Sequence, residues 1–174
     1  LIFLLALPSI LIAILVKITS KGNVLYWSDR VGKNNIIFKM PKFRTMKKNT
    51  PELASHLLVD TTSALTPIGN LLRKYSLDEI PQLWSILIGQ MSFVGPRPAL
   101  YNQDDLINLR VKYGVEKILP GLTGWAQVNG RDDLPIKEKV EKDVEYLNKK
   151  KFFFDLKILL LTLTKVLKKD GVSH

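Results

Sequence analysis

Residues 76–87 read Ser-Leu-Asp-Glu-Ile-Pro-Gln-Leu-Trp-Ser-Ile-Leu. This pattern predicts a helix that begins at Ser76. The apolar residues at core spacing are Leu83, Ile86 and Leu87. The first four residues fit a capping box, in which Ser76 caps the amide three residues on and Glu79 reaches back to the serine amide. On this interpretation the acidic residues only stabilise the start of a helix.

The acidic pair formed by Asp78 and Glu79 also fits a chemical interpretation. A carboxylate in the first turn of a helix is held anionic by the positive end of the helix dipole, so it stays available as a nucleophile or a metal ligand. A neighbouring carboxylate can then hold magnesium or transfer a proton. The local sequence leaves both interpretations open.

The chain is strongly basic. Its 174 residues suffice for one domain with a core, and 26 Lys and Arg against 16 Asp and Glu give a net charge of +10. Nucleic acid, anionic lipid and phosphorylated substrates could all account for this charge. The sequence has no Cys/His finger, no RNA-recognition aromatics and no heptads behind a basic stretch, so we do not expect nucleic acid as a partner. A membrane surface and phosphates are favoured.

The absence of cysteine restricts the possible chemistry. Disulfides, thiolate catalysis and cysteine-ligated zinc are excluded, and the two histidines, His56 and His174, cannot make a histidine metal site. Any metal would be held by carboxylates, phosphates and water, which favours Mg²⁺ or Mn²⁺.

Residues 1–16 are almost wholly apolar and end at Lys17. As a helix they would reach ~24 Å, short of a ~30 Å hydrocarbon core. Pro8 lies at the middle of the segment, where a proline removes a backbone hydrogen bond and favours a kink. We therefore predict a re-entrant membrane helix over 1–18, bent at Pro8, and a catalytic domain over 19–174.

Two alternatives for this apolar segment remain open. It could be a transmembrane helix cut by the start of the chain, and the abrupt apolar start indicates that upstream residues are missing. It could also be a signal peptide, although the basic start and the small-residue cleavage site of such peptides are absent.

Residues 23–29 and 35–40 predict two short strands that form a hairpin around a Val-Gly-Lys-Asn-Asn turn. A helix should follow with Thr66 as its N-cap and Pro67 as its first residue. Residues 50–63 have weak periodicity and are interpreted as a mobile loop or a short helix.

Residues 154–169 predict a basic amphipathic helix. Its apolar stripe is Leu156, Leu159, Leu160, Leu163 and Leu167. Such a helix fits the bilayer interface, and it equally fits a surface helix that covers the core.

Four blocks occur in order behind the apolar segment. They are Lys-Phe-Arg-Thr-Met at 42–46, Ser-Leu-Asp-Glu at 76–79, Met-Ser-Phe-Val-Gly-Pro-Arg-Pro at 91–98 and Pro-Gly-Leu-Thr-Gly-Trp-Ala-Gln-Val-Asn-Gly-Arg at 120–131. Together they resemble the bacterial sugar transferase family, the monotopic polyprenol-phosphate phosphoglycosyl transferases, over essentially the whole chain.

The resemblance implies an enzyme that moves a sugar 1-phosphate from a UDP-sugar to undecaprenyl phosphate and releases UMP, the first membrane step of a polysaccharide, lipopolysaccharide or glycoprotein glycan. It also implies a helix-rich mixed α/β fold: a compact single catalytic domain with a short β-hairpin, amphipathic interfacial helices and a re-entrant membrane helix. The expected location is the cytoplasmic face of the bacterial inner membrane, with the lipid bilayer and downstream glycosyltransferases as partners.

The resemblance also implies roles for individual residues. Asp78 would be the nucleophile that forms a phosphosugar-aspartyl intermediate, and Glu79 would bind magnesium or assist attack by the polyprenol phosphate. The two carboxylates are thus the expected metal ligands. The cations expected to serve the substrate phosphates are Arg73, Arg97 and Lys42, and Arg97 suits this role because its planar fork can bind two phosphate oxygens. Arg44 could replace Arg73 or Lys42.

The last block, at 120–131, contains glycines that allow tight backbone turns. Gln127, Asn129 and Arg131 are expected to offer hydrogen bonds to a nucleotide or pyrophosphate. Trp125 could pack against a base or an acyl chain, or lie in the core. In many relatives a serine precedes the membrane-segment proline, whereas here Leu7 precedes Pro8 and a serine follows it.

Two other functions remain open at this level. One is a non-catalytic membrane-surface scaffold, in which the acidic pair only caps a helix and the basic patches bind anionic lipid. The other is a magnesium-dependent phosphatase of lipid diphosphates.

Overall fold

The fold combines many helices with two small sheets. A computed structural model describes residues 2–48, 50, 64–130 and 134–168, with side chains from Leu5 to Val166. These residues form a compact mixed α/β domain, so the predicted fold class is confirmed.

The first helix, α1 (Ile2–Thr19), continues through Pro8. The hydroxyl of Ser9 donates a hydrogen bond to the carbonyl of Leu5 at 2.6 Å. The 18 residues of α1 would span about 27 Å. Within the described ranges, no helix combines the length and the apolar character that crossing a membrane requires. The bend at Pro8 and the re-entrant insertion stay predictions.

The predicted hairpin is confirmed. Strands β1 (Leu25–Val31) and β2 (Ile37–Phe43) pair antiparallel along their whole length, and β1 also pairs with β4 (Ala99–Leu100), giving the order β2-β1-β4. The turn between β1 and β2 contains Asn34 and Asn35 at positive φ, a conformation that asparagine adopts more readily than most residues.

Helix α2 (Gly69–Lys74) begins later than predicted. Thr66 does not cap this helix. Its hydroxyl instead donates a hydrogen bond to the carbonyl of Thr45 at 3.3 Å. Thr66 thereby ties the chain to the segment after β2, and the helix starts only at Gly69. The loop or short helix predicted for 50–63 lies almost wholly outside the described residues.

The predicted helix from Ser76 is wrong in its first half. Residues Leu77–Gln82 form a 3₁₀ helix that contains Pro81, which has no amide hydrogen to donate. A short helix, α3 (Leu83–Leu87), follows. Leu83 is buried as predicted, whereas Leu87 is 61% exposed.

Ser76 does not form the predicted capping box. It has a left-handed backbone conformation (φ 54°, ψ 23°), and its side chain makes no capping hydrogen bond. The Glu79 side chain bonds to two cations instead of reaching back to Ser76.

The second sheet joins two segments that are distant in sequence. Strands β3 (Ser92–Val94) and β5 (Gly121–Thr123) pair in parallel. The remaining helices are α4 (Asp104–Lys112), a 3₁₀ turn (Val115–Lys117), α5 (Trp125–Asn129) and α6 (Ile136–Lys149).

The last helix, α7 (Phe152–Lys168), covers the core with a face other than the predicted stripe. Ile158 is fully buried against Val94, Val128 and Tyr146. The described residues of the predicted stripe are exposed: Leu156, Leu159, Leu160 and Leu163. Because the helix is apolar on several sides, one side packs on the core and another stays uncovered.

The second half of α1 packs on the domain. Ile12 and Val16 are buried in a cluster with Phe43 of β2 and Leu72 of α2. The predicted membrane segment and the predicted catalytic domain therefore share one hydrophobic core.

Candidate active site

Glu79 lies at the centre of a part-buried ion-pair network. Its Oε1 atom accepts hydrogen bonds from Lys42 Nζ at 2.9 Å and from Arg97 Nη2 at 3.0 Å. Lys42 comes from β2, and Arg97 comes from the Gly-Pro-Arg-Pro turn between β3 and β4. One carboxylate thus ties the hairpin, the 3₁₀ helix and the turn together, and it brings together three residues that were predicted from the sequence.

Asp78 occupies a different environment from its neighbour. It is 7% exposed, and among the described residues no group donates a hydrogen bond to its carboxylate. Burial raises its pKa above the ordinary value, and the negative charge of Glu79 adds to this effect. The positive charges of Lys42, Arg73 and Arg97 act in the opposite direction without cancelling the shift.

The pKa of Glu79 moves the other way. Burial alone would raise it, but the charges of Lys42 and Arg97 and their hydrogen bonds outweigh burial and hold the pKa well below its usual range. Two adjacent carboxyl groups whose pKa values are pushed apart can take different chemical roles.

Arg73 belongs to the same site. It lies in the last turn of α2, and its Nε atom donates to the hydroxyl of Thr45 at 3.0 Å. Arg44 points elsewhere, because its Nη2 atom donates to the carbonyl and the hydroxyl of Ser20, just after the end of α1. Arg44 therefore does not replace Arg73 or Lys42.

The Gly-Pro-Arg-Pro turn and the glycine-rich block meet across the parallel strand pair. Gly95 donates its amide to Thr123, and Gly121 donates its amide to Pro96, each at 2.9 Å. A Cβ atom at Gly121 or at Gly124 would overlap the backbone of Gly95. These two glycines serve a close approach of two chain segments, rather than the tight turns predicted for them.

A groove of about 380 Å³ opens beside Glu79 and Arg97. Its walls come from the 3₁₀ helix, β5, α5, α7 and the start of α1. Apolar lining residues include Leu5, Ile80, Leu83, Leu122, Leu159 and Leu163. Polar lining residues are Lys74, Ser76, Glu79, Arg97, Thr123, Gln127, Thr162 and Lys165. The groove is thus apolar along Leu159 and Leu163 of α7, although Thr162 and Lys165 of the same helix also line it, and it is charged where it reaches the ion-pair network.

Gln127 lines this groove and is 8% exposed. Both its amide nitrogen and its amide oxygen are buried without a hydrogen-bond partner in the described part of the chain. Buried polar groups are almost always paired, so an unpartnered amide beside a groove is available to a ligand. Gln127 is therefore accessible to a ligand in the groove, and its contact with a substrate stays a prediction.

The block at 120–131 contains three further residues considered for substrate binding: Asn129, Arg131 and Trp125. Asn129 is exposed and folds back to donate to the carbonyl of Trp125 at 2.7 Å. Arg131 lies outside the described residues. Trp125 packs against Phe154 and donates its indole hydrogen to Glu145 at 2.7 Å, which supports the core interpretation of this tryptophan.

The sequence reasoning missed the contribution of α7 to the site. Thr162 lines the groove, and its hydroxyl lies 2.7 Å from that of Thr123 on β5. Two threonines at 162 and 164 interrupt an otherwise leucine-rich run, and such polar residues in an apolar helix could have signalled a functional face.

The residues that could hold a metal are Asp78 and Glu79. No group of three or more potential metal ligands occurs in the described ranges. Mg²⁺ often binds through one or two carboxylates together with substrate phosphates and water, so an acidic pair fits a metal that shares its ligands with a diphosphate.

Comparison with known proteins decides the family. The model of the bacterial sugar transferase family matches residues 1–169. The chain belongs to the bacterial sugar transferase family. The resemblance found in the four sequence blocks is thereby confirmed.

Among curated relatives of this bacterial sugar transferase, a Bacillus subtilis (strain 168) protein named uncharacterized sugar transferase EpsL is 40% identical over 99% of this chain and 86% of its own length. The UDP-glucose:undecaprenyl-phosphate glucose-1-phosphate transferase of Escherichia coli (strain K12) is 39% identical over 88% of this chain. The undecaprenyl-phosphate glucose phosphotransferase of Komagataeibacter xylinus is 37% identical over 88%. The chain spans 35% and 31% of the last two proteins.

The raised pKa of Asp78 predicts that Asp78→Asn stabilises the fold at about pH 7. A group whose pKa is higher in the folded state loses its contribution as the pH rises through that pKa, and asparagine never acquires the buried charge. The melting temperature of the variant should exceed that of the wild type near neutral pH. The difference should vanish below about pH 3.9, where the carboxyl is protonated in both states.

Asp29→Asn is the matched control, because Asp29 forms only an exposed ion pair with Lys39. Its effect should stay within about 0.5 kcal/mol at every pH. A lower melting temperature for Asp78→Asn at neutral pH would contradict the assigned direction of the pKa shift.

Proposed function

We propose that the chain transfers a sugar 1-phosphate from a UDP-sugar to undecaprenyl phosphate and releases UMP. The observation that carries this proposal is the position of Asp78, buried within range of three cations, next to an ion-pair network that borders an apolar groove. The names of two relatives, a UDP-glucose:undecaprenyl-phosphate glucose-1-phosphate transferase and a UDP-N-acetylgalactosamine-undecaprenyl-phosphate N-acetylgalactosaminephosphotransferase, support the same substrates.

In the first step, a carboxylate oxygen of Asp78 attacks the phosphorus nearest the sugar. The bond from that phosphorus to the bridging oxygen of the diphosphate breaks, and UMP leaves with the electron pair. A phosphosugar-aspartyl intermediate remains. Asp78 suits this role because no hydrogen bond in the described structure occupies its carboxylate, and a carboxylate can act as a covalent nucleophile.

The surrounding cations lower the cost of bringing an anionic nucleophile to an anionic diphosphate. Lys42 and Arg97 are held on one oxygen of Glu79, so their charges are fixed before the substrate arrives. Preorganised charges of this kind stabilise the charge that develops in the transition state. Arg73, fixed by Thr45, adds a third positive charge near Asp78.

We further propose Mg²⁺, with Mn²⁺ as a substitute, as the cofactor. Asp78 and Glu79 are the residues that would hold it together with the diphosphate. When bound, the ion would neutralise phosphate charge. Glu79 has the lower pKa of the two carboxyls, so it stays anionic and able to bind a cation across a wide pH range.

In the second step, a phosphate oxygen of undecaprenyl phosphate attacks the same phosphorus, and the bond to Asp78 breaks. The groove suits this acceptor: its apolar wall along α7 fits an isoprenoid chain, and Arg97 and Gln127 lie where the lipid phosphate would arrive. Gln127 would donate its free amide hydrogens to substrate oxygens. Asn129 and Arg131 remain the expected contacts to the nucleotide.

The bilayer is the proposed surroundings of α1 and α7. Ile18 of α1 is 73% exposed, and Phe152 and Phe153 at the start of α7 are 76% and 80% exposed. Large apolar side chains of this exposure, next to the lysine run at 149–151, are typical of an interfacial helix. We propose that α1 re-enters the inner membrane with its bend at Pro8, that the domain lies on the cytoplasmic face, and that downstream glycosyltransferases receive the product.

The first test of this function is a covalent adduct. Incubated with a UDP-sugar from a screen that supports UMP release, and with Mg²⁺ but no acceptor, the protein should gain the mass of one sugar phosphate on Asp78. Asp78→Asn should form no adduct and lose at least about a thousandfold in UMP release, because the nucleophile is gone. Intact-protein and peptide mass spectrometry measure both the mass and the site.

Two comparisons make this result decisive. Asp29→Asn should form the adduct normally, and EDTA should abolish it until Mg²⁺ or Mn²⁺ is restored. Turnover with acceptor but no adduct without it would argue for direct transfer. Full activity in EDTA would remove the metal from the proposal. Release of inorganic phosphate from a polyprenyl diphosphate, with no sugar nucleotide present, would favour a phosphatase.

The second test concerns the groove as the acceptor site. Leu163 and Leu160 lie on α7 and are 57% and 58% exposed, but only Leu163 lines the groove. Leu163→Glu should raise the KM for a polyprenyl phosphate in detergent micelles by roughly tenfold or more, as expected for the loss of one leucine's apolar contact. Adduct formation from the UDP-sugar should be unchanged.

Leu160→Glu is the control of equal exposure on the same helix, and its KM for the acceptor in micelles should stay within about twofold of the wild type. Equal effects of the two variants would show that α7 contacts the micelle in general and would contradict the assignment of the groove.

A further inference from the structure

Arg110 holds the backbone of the residue that binds Glu79. Arg110 lies on α4 and is 8% exposed. Its Nη1 atom donates to the carbonyl of Arg97 at 2.8 Å. Its Nε and Nη2 atoms donate to one oxygen of Asp143 on α6, at 3.0 and 2.7 Å. One guanidinium therefore connects a buried carboxylate to the turn that carries Arg97.

The ion pair does more than join α4 to α6. These helices already pack through Leu106 and Val140, which are buried together with Ala99. A buried ion pair generally contributes little more to stability than apolar residues of similar volume, and the clearest role of such pairs is to fix a specific arrangement. Here the feature that an apolar pair could not supply is a further donor of Arg110, the Nη1 atom, which bonds to the Arg97 carbonyl.

The rest of the turn is held in the same way. The amide of Gly95 donates to the carbonyl of Thr123 in β5, and the carbonyl of Pro96 accepts from the amide of Gly121 at the start of β5. On the other side, the Nη1 atom of Arg30 donates to the carbonyl of Pro98 at 3.2 Å. Each of the four consecutive residues 95–98 thus has a backbone group bonded to another segment, and these segments are β5, α4 and β1. These bonds restrict the position of the Arg97 backbone, from which its side chain extends.

We infer that Arg110, held by Asp143, is a positioning residue that fixes Arg97 for the proposed phosphosugar transfer, on which this inference rests. Arg110 and Asp143 are not among the residues that line the described groove, so they act through Arg97 and not on the substrate. Displacing a catalytic group by about 1 Å can cost about a hundredfold in rate, so a small shift of the turn is enough to matter.

A double-mutant cycle tests this inference, with kcat for UMP release as the readout. In the wild-type background, Arg110→Gln should lower kcat by roughly ten- to a hundredfold. In an Arg97→Ala background the same substitution should change the remaining rate by less than about threefold, because there is no guanidinium left to position. Arg110→Lys keeps the charge beside Asp143 without the fork, so it should fold and show an intermediate loss.

Val140→Ala is the matched control. It weakens the same contact between α4 and α6 without touching Arg110, so its effect on kcat should be small and equal in both backgrounds. Thermal unfolding verifies that each variant is folded at the assay temperature. If Arg110→Gln does not fold, Arg110→Lys is used in the cycle in its place.

Equal losses from the Arg110 substitution with and without Arg97 would overturn the positioning role, because a merely structural effect is additive. That outcome leaves the proposed function intact. A wild-type protein that releases no UMP from any UDP-sugar in the presence of undecaprenyl phosphate would instead overturn the proposed function, and the inference with it.

Discussion

The bond of Glu79 to both Lys42 and Arg97 is the interaction on which the site depends. A single oxygen of a part-buried carboxylate joins β2, the 3₁₀ helix and the Gly-Pro-Arg-Pro turn. Removing Lys42 or Arg97 would leave the Glu79 charge less compensated, which is costly for a charge that is largely shielded from water. Through Arg97 the network continues to Arg110 and Asp143, so the candidate site also connects several elements of the fold.

The two adjacent carboxyl groups, Asp78 and Glu79, differ in their hydrogen bonds and in the direction of their pKa shifts. Glu79 bonds to two cations through one oxygen, Oε1, and stays ionised, which suits the organisation of charge around the site. Asp78 receives the field of the same cations without their hydrogen bonds, which leaves its oxygens available for attack. The fold therefore tolerates a poorly stabilised buried carboxylate at the position proposed for the nucleophile, and strongly perturbed carboxylates of this kind are typical of functional sites.

The sequence predicted the parts of the molecule that short-range patterns specify. Strand alternation around an Asn-Asn turn is sufficient for the hairpin, and the four blocks identified the family. The capping box failed because Ser76 and Glu79 fit two arrangements equally well, and only distant residues decide between them. The core face of α7 was missed because the helix is apolar on several sides, so periodicity alone does not select Ile158. The pairing of Arg110 with Asp143 has no local signature, since 33 residues separate them.

The most direct test of this account is a carbon-13 NMR titration of the two carboxyl groups, with signals assigned through Asp78→Asn and Glu79→Gln. The account predicts that Asp78 titrates above the ordinary aspartate value of about 3.9 and that Glu79 titrates below the ordinary glutamate value of about 4.3. Because the groups are coupled, the order of the two steps is the decisive quantity. Ordinary values for both groups, or the reverse order, would contradict the division of roles between them.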